Sequence, residues 1–168
     1  MVFETTKDII DDVPRTSMIL VQTNTLGYGT HGVLQRLSQE YKSMFNEYRE
    51  FCGWFRDKKH QEEIIGSTMS LKFPVKDKNA GKIVACCFTL KWITTTKSEL
   101  RLDAWRKIAR KIATQTIANH KATGVMYQIH IPKKIGVGLS EFEQEEVRNI
   151  LYEEFKINHP EVDLWYHL

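Results

Sequence analysis

Two glycine-punctuated loops carry the residue types and spacing best suited to chemistry in this chain. The first is Asn24-Thr25-Leu26-Gly27-Tyr28-Gly29-Thr30-His31-Gly32, after the apolar run 18–21. The second is Pro132-Lys133-Lys134-Ile135-Gly136-Val137-Gly138-Leu139, after the apolar run 125–131. Each precedes an amphipathic stretch of helical spacing. A loop that ends a strand and opens a helix leaves backbone N–H groups unpaired at the positive end of the helix dipole. Such a place attracts phosphate. Two of them suit a ligand with two anionic groups, or one diphosphate gripped from both sides.

The elements that must position these loops follow from periodicity. Strands are expected at 18–21, 64–73, 83–90, 125–131 and 162–167. The run 83–90 is almost continuously apolar, as in a strand buried on both faces. From Gly32 to Phe55 the apolar residues fall at helical spacing, giving one long helix or two joined near Lys42. Leu102, Trp105, Ile108, Ala109, Ile112 and Thr116 form a second helical stripe, with Arg101, Arg106, Lys107, Arg110 and Lys111 mainly on other faces. A last helix spans 142–155. Strands alternating with helices predict a mostly parallel sheet covered on both sides, an α/β/α three-layer fold in one domain spanning 1–168. In such sheets ligands sit beyond the carboxyl ends of the strands, where both glycine loops fall.

Neither loop is a P-loop, since Gly-x4-Gly-Lys-Ser/Thr is absent. Gly27-Tyr28-Gly29 with Gly32 satisfies G-x-G-x-x-G. However, no acidic residue ends a following strand about 20 residues on, which argues against a nicotinamide enzyme. The six histidines show no metal-ligand spacing and no Cys-x-x-Cys occurs, so no metal and no cofactor are expected. Cys52, Cys86 and Cys87 read as buried free thiols. No apolar run approaches the ~20 residues of a membrane helix. The first residues do not resemble a signal peptide, so a cytoplasmic location is expected.

The net charge is +3, unevenly spread. Residues 72–111 hold eleven Lys or Arg against three acids, while 140–168 hold eight acids against two bases. The basic stretch reads either as a polyanion-binding face or as a solvated helix surface. It lacks the interleaved aromatics of single-strand platforms, Trp92 and Trp105 aside, which ranks nucleic acid below other partners.

Taken together, the loops resemble those of the macro domain family of ADP-ribose-binding modules. The resemblance is nearest to the branch of the terminal ADP-ribose protein glycohydrolase and ADP-ribose 1''-phosphate phosphatase, and it spans nearly the whole chain. Lys7-Asp8-Ile9 is similar to the family's Gly-Asp-Ile, Asn24-Thr25-Leu26-Gly27 to its Asn-x-x-Gly, and Gly32-Val33 to its Gly-Ile. Pro132 with Ile135-Gly136-Val137-Gly138-Leu139 is similar to its diphosphate loop, and 164–168 to its last strand.

The resemblance implies that the chain binds ADP-ribose and acts as a hydrolase on ADP-ribose 1''-phosphate or an ADP-ribosyl ester; the alternative is a reader without chemistry. It places Asp8 and Ile9 at the adenine. It gives the distal ribose to Asn24, Gly27, Gly29, Thr30, Gly32 and Val33, and the diphosphate to Ile135, Gly136, Val137, Gly138, Leu139 and Ser140. An ADP-ribosylated protein is the implied partner, and the divergent loops would suit a phage or accessory genome.

The departures bear on catalysis. Ser140 stands where glycohydrolase relatives carry Asp, and the second loop has an extra lysine. Lys91, at a strand end resembling the one that delivers the family's lysine, becomes a positioning charge without that acid. His31 is the candidate for proton transfer, with an ordinary loop hydrogen bond as its other reading. Asn24 and Asp8 each also read as turn-stabilising residues. Ser140 with Glu143 fits the S-x-x-E capping box, and Glu141 suits the helix dipole.

Overall fold

The computed structural model describes residues 1–29, 32–57, 60–90, 97–135 and 140–168. Six strands form one sheet: β1 (Val2–Thr5), β2 (Ser17–Asn24), β3 (Thr68–Lys72), β4 (Ile83–Leu90), β5 (Gln128–Ile131) and β6 (Leu164–His167). Their spatial order is β1-β6-β5-β2-β4-β3. All neighbours are parallel except β3, which pairs antiparallel with β4.

Side-chain alternation along the central strands builds two cores. Leu20 of β2 and Ala85 and Cys87 of β4 face α3 (Ser98–Thr123) and α4 (Glu141–Tyr152). Ile19, Val21, Val84, Cys86 and Phe88 face α1 (Gly32–Glu40) and α2 (Lys42–Asp57). The sheet is thus sandwiched between two helical layers, as the alternation predicts. All but the first residue of β4 are buried, in keeping with its nearly continuous apolar run. The three cysteines are free and buried.

Several boundaries differ from the sequence expectation. The helical stretch from Gly32 is two helices that meet at Tyr41, whose ring packs edge-on against Phe73 at 4.9 Å and whose hydroxyl donates to Asp77. The strand expected over 64–73 shortens to β3. Gln61–Ile64 form a 3₁₀ turn, and Gly66 reverses the chain at φ +86°, a conformation that excludes a continuous strand. The last helix continues past Tyr152 as a π turn over Glu153–Asn158 that buries Phe155. β1 was not legible, being four residues at the sheet edge beside β6. Among the described residues no helix is long and apolar enough to cross a membrane.

Candidate functional site

Three neighbouring parallel strands, β5, β2 and β4, deliver their chain ends to one edge of the sheet. The Thr25 N–H donates to the Leu90 carbonyl at 2.9 Å, so the first loop leaves β2 stitched to the end of β4. The loop then closes on Asn24. Its Oδ1 accepts from the N–H groups of Leu26 (2.9 Å) and Tyr28 (3.3 Å), and its Nδ2 donates to the Tyr28 carbonyl (3.1 Å). This is the side-chain turn that Asn favours, and it fits the turn-stabilising reading of that residue.

Tyr48 on α2 fastens the loop from behind. Its hydroxyl lies 3.1 Å from the carbonyls of both Asn24 and Tyr28. Burial pushes the Tyr48 phenol well above its ordinary range, so it remains a donor. Burial likewise pushes the Cys52 thiol beside it up to about 12, leaving it a weak donor to the Asn24 carbonyl. Gly29 lies so close to Phe45 that a Cβ there would come within 2.4 Å of its ring. Beyond the loop, Gly32 opens α1 and Val33 is buried in the core.

On the other side of β2, Ile135 of the second loop is buried against α3 and α4. Ser140 caps α4, its Oγ accepting from the Glu143 N–H at 3.1 Å, as the S-x-x-E spacing predicts. The Glu143 carboxylate turns to Arg101 on α3. The guanidinium donates through Nε at 3.0 Å and through Nη2 at 2.6 and 2.5 Å. Both side chains are nearly out of solvent, at 11% and 15% exposure. Arg101 therefore does not share the exposed face assigned to it with Arg106 and Lys107. It lies one turn before buried Trp105, on the apolar side of α3, and that i,i+4 spacing was the only sequence signal for it. Trp105 in turn donates to Gln22 on β2 at 3.2 Å.

The Lys7-Asp8-Ile9 turn follows β1, and its groups are tightly engaged. Asp8 Oδ1 accepts from the N–H groups of Ile10 (2.9 Å) and Asp11 (2.7 Å), while Arg36 of α1 donates to both Asp8 oxygens. Partial burial works to raise the Asp8 pKa. The Asp11 N–H, Arg36 and the Ile10 N–H outweigh it and hold the carboxyl down at about 2. Ile9 packs half-buried against the α1–α2 core. Thr30, His31, Lys91, Gly136, Val137, Gly138 and Leu139 lie outside the described residues.

A second polar cluster was not visible in the sequence. His130 on β5 and His167 on β6 are both buried, with His130 Nδ1 2.9 Å from His167 Nε2. His167 Nδ1 donates to the Lys7 carbonyl at 2.8 Å, because a carbonyl only accepts. Ser17 Oγ lies 3.2 Å from His130 Nε2. With both rings uncharged, His130 Nδ1 therefore donates to His167 Nε2, and His130 Nε2 is shared between Ser17 and Gln128. Burial, then the neighbouring His167 and Lys82, lower the His130 pKa to about 4. Among the described residues no group of three His, Cys, Asp or Glu is placed to hold a metal.

The sequence matches no protein-family model and no curated protein. Solved structures match it along its length. The macrodomain of Mycobacterium tuberculosis DarG is 20% identical over 100% of this chain and 98% of its own, with a TM-score of 0.70. The chain has a macrodomain fold. A Bacteroides thetaiotaomicron protein of unknown function shares this architecture at 22% identity and a TM-score of 0.72, over 99% of this chain and 97% of its own. Thermosipho africanus DarTG, in complex with ADP-ribose, is 17% identical with a TM-score of 0.64. That match covers 92% of this chain and 38% of the DarTG chain. In macrodomain terms, the two glycine loops are the chain segments that follow the second and fifth strands.

Proposed function

We propose that this chain binds ADP-ribose at the carboxyl edge of β5, β2 and β4, and hydrolyses a derivative that carries it. The observation that carries this reading is the convergence of the β2 and β5 loops on one edge, each leading into a helix, α1 or α4. Amides at two helix starts suit a diphosphate. The complex of a DarTG protein of the same fold with ADP-ribose adds to the support. The energetics are undemanding. A micromolar ligand needs about 8 kcal/mol, and charged hydrogen bonds contribute roughly 1.5–3 kcal/mol each before association entropy is subtracted.

In this reading Asp8 and Ile9 flank the adenine. The first loop, from Asn24 through Val33, wraps the distal ribose, and Ile135 through Ser140 hold the diphosphate. His31 protonates the leaving oxygen while water attacks the ester, and Lys91 offsets the developing negative charge. The products are ADP-ribose and either inorganic phosphate or a free carboxylic acid, as in the glycohydrolase and phosphatase branch.

Calorimetric titration with ADP-ribose against AMP tests the binding half. Micromolar affinity that AMP does not reproduce is expected; equal affinities or none would refute it. Turnover of ADP-ribose 1''-phosphate that His31→Ala and Lys91→Ala leave unchanged would refute the catalytic roles.

One observation favours a second reading, a reader that binds without chemistry. Ser140 spends its hydroxyl capping α4 and supplies no carboxylate. Binding without turnover, with hydrolysis appearing in Ser140→Asp, would decide for it.

A further inference from the structure

At the opposite edge of the sheet, the amino ends of β2 and β4 open onto a groove of about 530 Å³. One wall is the C-terminal half of α3, and the other is the turn from Lys72 to Lys82. Met18, Phe73, Val75 and Ile83 give it an apolar surface, and Val75 is 93% exposed. Of these only Val75 is fully exposed, while Met18 and Ile83 are half-buried and Phe73 is buried.

Its electrostatics are one-sided. The lining includes Lys72 and Lys82 and no acid. The Lys82 ammonium is taken by the Ile10 carbonyl and Asn79, which leaves Lys72 as the lysine of the lining that faces solvent. On α3, Lys107, Lys111, Gln115 and Asn119 follow one another at i,i+4 and so form one stripe. The stem of Lys107 lies against Gly66, and Gln115 and Asn119 line the groove, so the stripe leads from one to the other. Among the described residues neither lysine of the stripe has an ion-pair partner. This track is about 18 Å long at the helical rise.

Its hydrogen-bonding capacity is also unspent. Thr116 lines the groove at 2% exposure, and its hydroxyl has no partner. The Gln115 amide beside it is exposed.

We propose that this groove and its lysine track receive an extended, acidic protein segment carrying an apolar anchor. The anchor packs beside Val75, against the half-buried Met18 and Ile83. Carboxylates lie along Lys72, Lys111 and Lys107, and main-chain groups meet the exposed Gln115 amide. Nucleic acid fits less well, because the groove lacks a pair of exposed rings on which bases could stack. Phe73 is buried edge-on against Tyr41, and Tyr127 is half-buried.

The test is fluorescence anisotropy on the full chain with a labelled peptide of glutamates and leucines. A lysine-for-glutamate counterpart and an oligothymidylate serve as the other probes. Micromolar binding of the acidic peptide is expected, weakened about tenfold in the basic counterpart. Val75→Asp, and Lys72→Glu combined with Lys111→Glu, should each weaken it about tenfold at unchanged Tm, since these side chains face solvent. The idea is overturned by no binding, by equal binding of the basic peptide, by indifference to Val75→Asp, or by tighter binding of the oligothymidylate at the same residues. Because the groove lies at the edge away from the loops, each of these outcomes is independent of ADP-ribose binding.

Discussion

The two edges of the sheet differ in how their loops and charged side chains are held. At the carboxyl edge, Asn24 closes its own loop, Tyr48 braces it, Ser140 caps α4, and Glu143 is bound by Arg101. Toward the amino edge, Lys72 and Lys111 are exposed and lack ion-pair partners among the described residues, while Lys82 is held by the Ile10 carbonyl and Asn79. The difference teaches where the fold invests in rigidity. Under the proposed function, the ties over Asn24–Tyr28 fix that part of the first loop before ADP-ribose arrives, which reduces the ordering entropy lost on binding. A surface that takes its shape from a partner has no such requirement.

The largest expected effect comes from opening the Arg101–Glu143 pair. Arg101→Met leaves a nearly buried carboxylate without its main partner, and a loss of about 3 kcal/mol is expected in denaturant melts. Arg101→Met combined with Glu143→Leu should recover part of that loss. A loss of under about 0.5 kcal/mol, the range of surface substitutions, would mean that the carboxyl edge is not the rigid one.

A comparable effect is expected from acid, through His130. Its folded-state pKa is depressed from 6.5 to about 4, so the unfolded chain takes up its proton first as pH falls. Its contribution is complete above about pH 6.5 and is lost progressively down to about pH 4, on the order of 3 kcal/mol in all. His130→Gln should flatten the dependence of stability on pH across that window. An unchanged slope would remove the buried histidine chain from the account. Asp8 acts lower on the scale: its stabilisation, present above about pH 4, is lost as pH falls toward 2.

Gly29→Ala sharpens the contrast at the first loop. The added methyl meets the Phe45 ring at 2.4 Å and Leu34 at 3.0 Å, so a cost of about 2 kcal/mol is expected. A displaced loop should also weaken ADP-ribose binding under the proposed function. Full stability together with full affinity would show that the loop tolerates movement. The smallest effect is Ser140→Ala, about 1 kcal/mol for the lost cap, measured by the shift in Tm. Val75→Asp at the other edge should leave stability untouched.

Much of the fold was legible because its signals are local. The apolar run of β4, the helical stripe through Trp105 to Thr116, and the Ser140 cap each depend on residues within one element. The long strand expected over 64–73 failed because one glycine at positive φ outweighs an alternating pattern. Of the candidate site, the turn at Asn24 and the cap at Ser140 could be read locally. The roles of His31 and Lys91 rest on resemblance and await the variants described above.

By itself, then, the sequence determined the alternation of strands and helices. That alternation placed both glycine loops at one edge, because each loop leaves the carboxyl end of its strand and parallel strands put those ends together. It could not determine which distant groups would share a hydrogen bond. Arg101 and Glu143 are 42 residues apart, His130 and His167 are 37 apart, and Asn24 and Tyr48 are 24 apart. Only the tertiary structure decided those pairs. Periodicity reports which face of an element is buried, whereas the identity of the buried partner depends on how separate elements pack across the sheet.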